Sequence, residues 1–267
     1  MLKKRIATAV ILIAVLVGVI LLLPPVATVV AVTLMVLAGA WEWSAFLRAP
    51  GTWIRILYVL VIAALLPITW NISGSSSGRT LLLSIALLWW IGALAWIIFA
   101  PHRATPWTAA FAGILALVPA WTALIRMRLD MTQGAEWILF ALVLVWAADV
   151  GAYFAGRRFG RHKLAPNVSP GKTWEGALGG VLLSVFVAVG GSAWFSIPVL
   201  AFLPLCIIVV AFSIVGDLTE SLLKRFAGVK DSGKLFPGHG GVMDRIDSVT
   251  AAAPLLFCGL IALGVAP

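Results

Sequence analysis

The chain has 267 residues, of which 62% are hydrophobic and only 11% charged, where a soluble domain carries about a quarter charged residues. A soluble fold of this length has no core large enough to hide that apolar surface, so the solvent for most of the chain must be lipid. The net charge of +9 is no argument for a nucleic-acid partner, because the basic residues are sorted by side of the membrane.

In chain order the sequence predicts about nine transmembrane helices, near 6–23, 26–46, 54–70, 81–99, 107–125, 136–155, 176–195, 198–223 and 248–265, each close to the roughly 20 residues a crossing needs. The second and eighth run past the lipid as helix. Backbone groups in lipid must be satisfied within the segment and no strand-like alternation appears, which excludes a barrel. The expected fold is therefore all-α, a polytopic integral membrane helix bundle. The first segment follows Lys3, Lys4 and Arg5 like a secretory signal. Its apolar run is too long for one, no small-x-small site follows, and Pro24-Pro25 leads into the next apolar segment, so it reads as a retained anchor. Cys206 and Cys258 lie singly in apolar segments and read as small core hydrophobes.

With the N-terminus in the cytosol, the Lys and Arg residues gather on that side, leaving only Arg79, Arg126 and Arg128 on the other; this is a strong positive-inside pattern. Nine crossings then put the C-terminus outside and the two long polar loops, 156–175 and 224–247, in the cytosol. A topological signal explains the N-terminal cluster but not the density of charge in those loops. The external stretch "NISGSSSGR" (71–79) has flexible-linker composition, and its glycosylation sequon is too weak a motif to use. Two regions follow: N-terminal transmembrane helices over 1–135, and a C-terminal transmembrane catalytic region over 136–267 that carries both loops.

The chain has ten acidic residues, so their positions are informative. Asp149 in "LVWAADVGAYFAG" and Asp217 in "AFSIVGDLTESLLKR" each lie near the cytosolic end of an apolar helix, where an ionisable group is costly and by default functional. The bland alternative is a carboxylate that caps a helix or pairs with a loop arginine. For Glu42 in "WEWSAF", isolated among apolar residues, the bland reading is preferred. Glu220, Ser221 and Lys224 follow Asp217 at i+3, i+4 and i+7 and share its helix face. Asp244 and Asp247 flank Arg245 and project the same way if that segment begins the last helix. Convergent carboxylates without sulfur ligands suit Mg²⁺ rather than zinc; His239 alone cannot make a zinc site, and His102 and His162 read as solvated loop residues. "PGHGG" (237–241) lets backbone N–H groups approach an anion. "SPGKTWEG" (169–176) is not a P-loop, because Pro166 stands where that motif needs glycine. Basic loops, glycine-rich backbone and clustered aspartates together describe a site for phosphates and Mg²⁺.

Ser221, Lys224-Arg225, Lys230-Asp231 and then "LFPGHGGVMDRID" (235–247) resemble the signature of the phosphatidate cytidylyltransferases, the CDP-diacylglycerol synthase family. "DVGAYFAGRRFGRHKLAPNVSPGKTWEG" (149–176) is also similar to that family, with Gly171 where a lysine is expected. Residues 1–135 resemble it only as hydrophobic helices. The resemblance implies CTP and phosphatidate as substrates, CDP-diacylglycerol and pyrophosphate as products, and Mg²⁺ with a monovalent cation such as K⁺ as cofactors. The compact, signal-anchored design points to a bacterial inner membrane with an organellar one as the alternative, the charge count puts the site on the cytosolic face, and a homodimer is left open. The metal is expected on Asp217, Asp244 and Asp247, with Asp149 and Asp231 as further candidates. Lys224, Arg225, Lys230, Lys172 and Arg245 are expected to neutralise phosphates, and Ser221, Ser169, His239, Gly240 and Gly241 to shape the phosphate contacts. The attacking lipid phosphate is already largely ionised, its second pKa being about 6, so no general base is required. A transporter would place its acids nearer the midplane and would have no use for the glycine-rich loop. A CDP-alcohol phosphatidyltransferase would carry a different acidic pattern on one helix.

Overall fold

A computed structural model describes residues 2–48, 51–233 and 240–267, with side chains from Ile11 onward except Leu12. The elements are α1 (Leu2–Leu22), α2 (Pro25–Trp43) with a 3-10 turn (Ser44–Leu47), α3 (Thr52–Ile72), α4 (Ser76–Phe99), α5 (Pro106–Asp130), α6 (Gly134–Phe159), β1 (Lys163–Ala165), β2 (Ser169–Thr173), α7 (Trp174–Trp194), α8 (Val199–Ala227) and α9 (Met243–Ala262). Among the described residues, eight helices are long and apolar enough to cross a membrane, and α1 adds a shorter apolar stretch, Ile13–Leu22. The chain is thus an all-helical, multi-pass bundle.

Local chemistry sets several boundaries. Thr105 and Thr108 form a capping box at α5, each hydroxyl accepting from the other's backbone N–H, at 3.1 and 2.8 Å, and Pro106 occupies the first turn, where no intrahelical N–H bond is lost. Thr173 caps α7 by accepting from Gly176 N at 3.1 Å. Ser75 does the same for α4 through Gly78 N. That cap corrects the expected linker over 71–79, most of which belongs to the ends of α3 and α4. Composition registered the small polar residues there but not the serine's role as a helix start.

α5 and α9 form the centre: Ala112, Ala116 and Leu117 on one and Ala251, Ala252 and Leu256 on the other are fully buried. The outer helices turn large apolar side chains outward, such as Leu60 on α3, Leu88 on α4 and Phe186 on α7. Scattered over so many helices, this exposed surface exceeds what a soluble monomer shows and suits lipid contact. Trp43 Nε1 donates to Ala109 O at 2.8 Å and Tyr58 Oη to Ala110 O at 3.0 Å, tying α2 and α3 to the start of α5. At the opposite end, Trp137 stacks on Phe195 at 3.6 Å between ring centroids, joining α6 to the α7–α8 turn. Near that end Arg126 is buried, with Ser73 Oγ, Trp70 O and Asp130 accepting its donors.

Three details depart from the sequence reading. α6 continues to Phe159, beyond the expected 155. Part of the 156–175 loop is an antiparallel hairpin, Lys163 opposite Thr173 and Ala165 opposite Ser169, too short and too rich in Pro and Gly to show a strand pattern. The last helix begins at Met243 rather than 248, so Asp244 and Asp247 do lie on one helix.

α6 and α7 approach closely through small residues. A side chain on Gly151 would collide with Gly179 O, and one on Gly179 with Ala155 Cβ. Small residues let helix backbones approach in lipid, where packing rather than hydrophobicity drives association. Gly179→Val should therefore cost about 1–3 kcal/mol, the usual range for overpacking. It should lower the thermal midpoint in detergent by several degrees, read by tryptophan fluorescence. Gly190→Val, whose Cβ meets nothing within 4 Å, should leave the midpoint unchanged.

Candidate active site

One end of the bundle gathers the end of α2, the end of α6, the β1–β2 hairpin, the start of α7, the end of α8 and the start of α9. A cleft of about 560 Å³ opens there between α6, the hairpin, α7 and α8, lined by Asp149, Tyr153, Arg157, Gly171, Lys172, Thr173 and Asp217 with apolar residues such as Ala148 and Ile214. Its floor carries an ion pair, Lys172 Nζ to Asp217 Oδ2 at 2.6 Å, each side chain a little over a quarter exposed. Arg157 donates to Tyr153 Oη at 2.9 Å. Gly171, where the resemblance leads one to expect lysine, lines the cleft, and a Cβ there would meet nothing within 4 Å. The departure leaves room rather than strain.

The predicted face of α8 forms as its spacing requires. Ser221 Oγ donates to Asp217 Oδ1 at 3.2 Å. Lys224 Nζ donates to Glu220 Oε2 at 2.9 Å and, across to α9, to Asp244 Oδ1 at 2.7 Å. Glu220 is fully buried, and its carboxylate lies beside that of Asp247. Gly216 allows the α9 backbone to approach, since a Cβ there would stand 2.6 Å from Asp247 O. Asp217 lies close enough to Asp149 and to Asp247 for their charges to repel, and Asp247 likewise feels Glu220. Lys172 and Arg245 offset the charge of Asp149. The acids thus form a string, Asp149, Asp217, Asp247 and Glu220, threaded with cations. Among the described residues, no three His, Cys, Asp or Glu side chains gather tightly enough to hold one ion. Lysine ammoniums stand against these carboxylates instead.

Asp244 is the most heavily bonded of the predicted acids. Besides Lys224, it accepts from Gly241 N at 2.7 Å and Ser232 N at 3.2 Å. Gly240, at φ +81°, turns the chain over this carboxylate, and a side chain there would collide with it. The Gly241 amide expected to face a phosphate is therefore directed at Asp244. Arg225 Nε donates to Val168 O at 3.4 Å, a long bond from α8 to the hairpin turn beside Ser169. Gly228, at φ +72°, ends α8 in the left-handed geometry glycine favours, and Lys230 and Asp231 beyond it are exposed. His239 lies outside the described residues.

Two further acids join this end unannounced. Glu175, in the first turn of α7, accepts from Arg161 N and His162 N, and the exposed His162 ring, solvated as its loop position suggested, places Nδ1 2.6 Å from the same carboxylate. Glu42, read as a carboxylate that caps or pairs, does cap the start of α9: it is 8% exposed and accepts from Ser232 Oγ at 3.0 Å, Val242 N at 3.1 Å and Met243 N at 2.8 Å. An acid inside an apolar helix was the available signal, the same one that singled out Asp149 and Asp217.

These features place a polar ledge of paired acids and lysines at one end of a bundle whose outer faces are apolar. Residues 3–262 match the model of the Cytidylyltransferase family, and the chain belongs to that family. It is similar to the phosphatidate cytidylyltransferase of Pseudomonas aeruginosa, 41% identical over 272 residues that cover 99% of this chain and 98% of that protein. It is also similar to that of Haemophilus influenzae, 38% identical over 278 residues covering 95% and 96%. The enzyme of the same name from Brucella suis is 46% identical over 162 residues, 57% of this chain and 56% of that protein.

Proposed function

We propose that the chain transfers the cytidylyl group of CTP to phosphatidate, giving CDP-diacylglycerol and pyrophosphate at the cytosolic face of a bacterial inner membrane. The observation that carries the reading is the cleft around Lys172 and Asp217, set between helices whose outer faces are apolar. CTP would enter from water, while the acyl chains of the lipid stay in the bilayer. A phosphate oxygen of phosphatidate attacks the α-phosphorus of CTP, and the bond from that phosphorus to the β-phosphate oxygen breaks. Two polyanions must meet and charge must move to the leaving pyrophosphate, so positioning and cationic stabilisation carry the catalysis.

Lys172 is placed to exchange Asp217 for a phosphate when a polyanion enters the cleft, with Arg157 at the same wall. Arg245, Arg225 and Lys230 add positive charge around the ledge. The donor chemistry suits a hard divalent cation, being all oxygen with carboxylates that repel one another, although no three of the described acids are gathered tightly enough here to hold one ion. Asp217 and Asp247, with Asp149 beside them, would hold Mg²⁺, which when bound supplies positive charge to the phosphates. Asp244 serves that arrangement by fixing Lys224 and the turn at Gly241.

Purified protein in detergent, given phosphatidate, Mg²⁺ and CTP labelled at either the α- or the γ-phosphorus, tests the reading. Label should reach the lipid phase from α-labelled CTP only, and chelation of Mg²⁺ should abolish it. No lipid label from either nucleotide, with a folded protein and an active control enzyme, would overturn the proposal.

A further inference from the structure

We infer that Glu42, on α2, is a positioning residue for the reaction: its carboxylate staples both ends of the 232–242 segment and seats the first turn of α9, from which Asp244 and Asp247 project. The inference rests on the cytidylyl-transfer reading for the reaction, and on geometry alone for the staple.

The start of α9 has no cap of its own. Its N-cap residue is Val242, which offers no side-chain acceptor, although the first N–H groups of any helix need partners from outside it. Glu42 supplies them from some 200 residues away, accepting from Val242 N and Met243 N. A carboxylate is also the favoured charge at that end of a helix. Its Oε2 further accepts from Ser232 Oγ, at the other end of the segment. The chain is shaped around this group: a Cβ on Gly233 or on Gly241 would collide with the Glu42 carboxylate. Gly39, one turn earlier on α2, faces Ile246 and Met243 of α9, where a Cβ would stand 3.3 Å from Ile246 Cδ1.

From Glu42 a continuous series of bonds reaches the predicted site. Ser232, held through its hydroxyl by Glu42, donates its N–H to Asp244. Asp244 N donates back to Ser232 Oγ at 3.3 Å, and Asp244 accepts from Lys224, which holds Glu220. α2, Ser232, α9 and α8 are thereby joined at one place. Loss of the staple should displace Asp244 and Asp247 together without touching the Lys172–Asp217 pair, since neither Lys172 nor Asp217 bonds to this series.

Glu42→Gln keeps the shape but substitutes an amide donor for one acceptor oxygen, opposing at least one of the three donors. Hydrogen exchange followed by mass spectrometry should show exchange in peptides spanning 240–247 faster by about tenfold or more, with peptides from α3 and α4 unchanged. The turnover number should fall about 10- to 100-fold, the usual penalty for a misplaced catalytic frame, with KM for CTP within about threefold of the wild type. Ser232→Ala, which removes one bond only, should shift both readouts in the same direction and by less. Unchanged exchange in Glu42→Gln would overturn the staple. Faster exchange throughout the bundle, or local loosening with normal turnover, would overturn the positioning role. If the wild-type protein transfers no cytidylyl group, exchange still reads the staple and the failure belongs to the reaction.

Discussion

Asp217→Asn is expected to lower cytidylyl transfer by about 10²- to 10³-fold, the loss typical of removing one preorganised electrostatic group from an active site. Stability should hardly change. Asparagine keeps the side-chain outline and can still accept from Ser221 Oγ, as Asp217 does at 3.2 Å. The Lys172–Asp217 pair it breaks is partly solvated, with side chains 27% and 28% exposed, and such pairs contribute only about 0–1 kcal/mol. Against that loss stands relief of repulsion, because Asp217 presses on both Asp149 and Asp247. The two effects oppose each other, so the thermal midpoint should stay within about 2 °C of the wild type while activity collapses. Rates of α-label transfer and fluorescence melts on the same preparation check both halves. Near-normal transfer would remove Asp217 from the proposed metal site.

This separation of function from stability follows from how the acids are arranged. In a purely structural network each carboxylate would have its own cation or backbone donors. Asp244 is of that kind, surrounded by Lys224, Gly241 N and Ser232 N. Asp217 and Glu220 also have a cation each, Lys172 and Lys224, but these two and Asp149 and Asp247 are in addition crowded against one another. Crowded like charges persist where binding requires them, and their repulsion is a reservoir that a cationic ligand can discharge.

How far the sequence anticipated this arrangement depends on the range of each contact. The spans were legible because lipid demands long apolar runs. The α8 face was legible because helical spacing alone brings Asp217 to Ser221 and Glu220 to Lys224. Asp244 and Asp247 were legible only conditionally, since the start of α9 at Met243 depends on partners outside the helix. Glu42 was read as a carboxylate that caps or pairs and does cap a helix, but which helix was hidden for the same reason: its partners lie about 190 to 200 positions away, and nothing in "WEWSAF" marks them. The hairpin escaped because the five residues of β2, beginning Ser-Pro-Gly, lay within what read as the polar loop 156–175, and its base is closed by Glu175 of α7, which accepts from Arg161 N and His162 N. That hairpin carries Lys172 to Asp217, so the central ion pair was also out of reach of local pattern.

Lys224→Met should have the largest effect on folding of any single substitution at this end of the molecule. Lys224 is 14% exposed and joins two acids, one fully buried and the other 10% exposed. Methionine matches its length and apolar stem but removes the charge. Asp244 would keep Gly241 N and Ser232 N, whereas the fully buried Glu220 would lose the ammonium that donates to its Oε2. Removing one partner of a buried pair typically costs about 3–5 kcal/mol, because the remaining charge is left in low dielectric. At roughly 2–4 °C per kcal/mol for a chain of this size, the midpoint in detergent should fall by about 6 °C or more. Adding Glu220→Leu should recover most of that loss, since replacing both members of a buried pair by apolar groups is often close to neutral. Activity should not return with stability. The double variant lacks the ammonium that holds Asp244 from α8 and lacks a carboxylate beside Asp247, so α9 would be seated but its acids would not be held in place. A single variant that melts like the wild type would mean that the Lys224 bridge carries little of the fold's stability. A double variant that is both stable and active would mean that neither group serves the reaction.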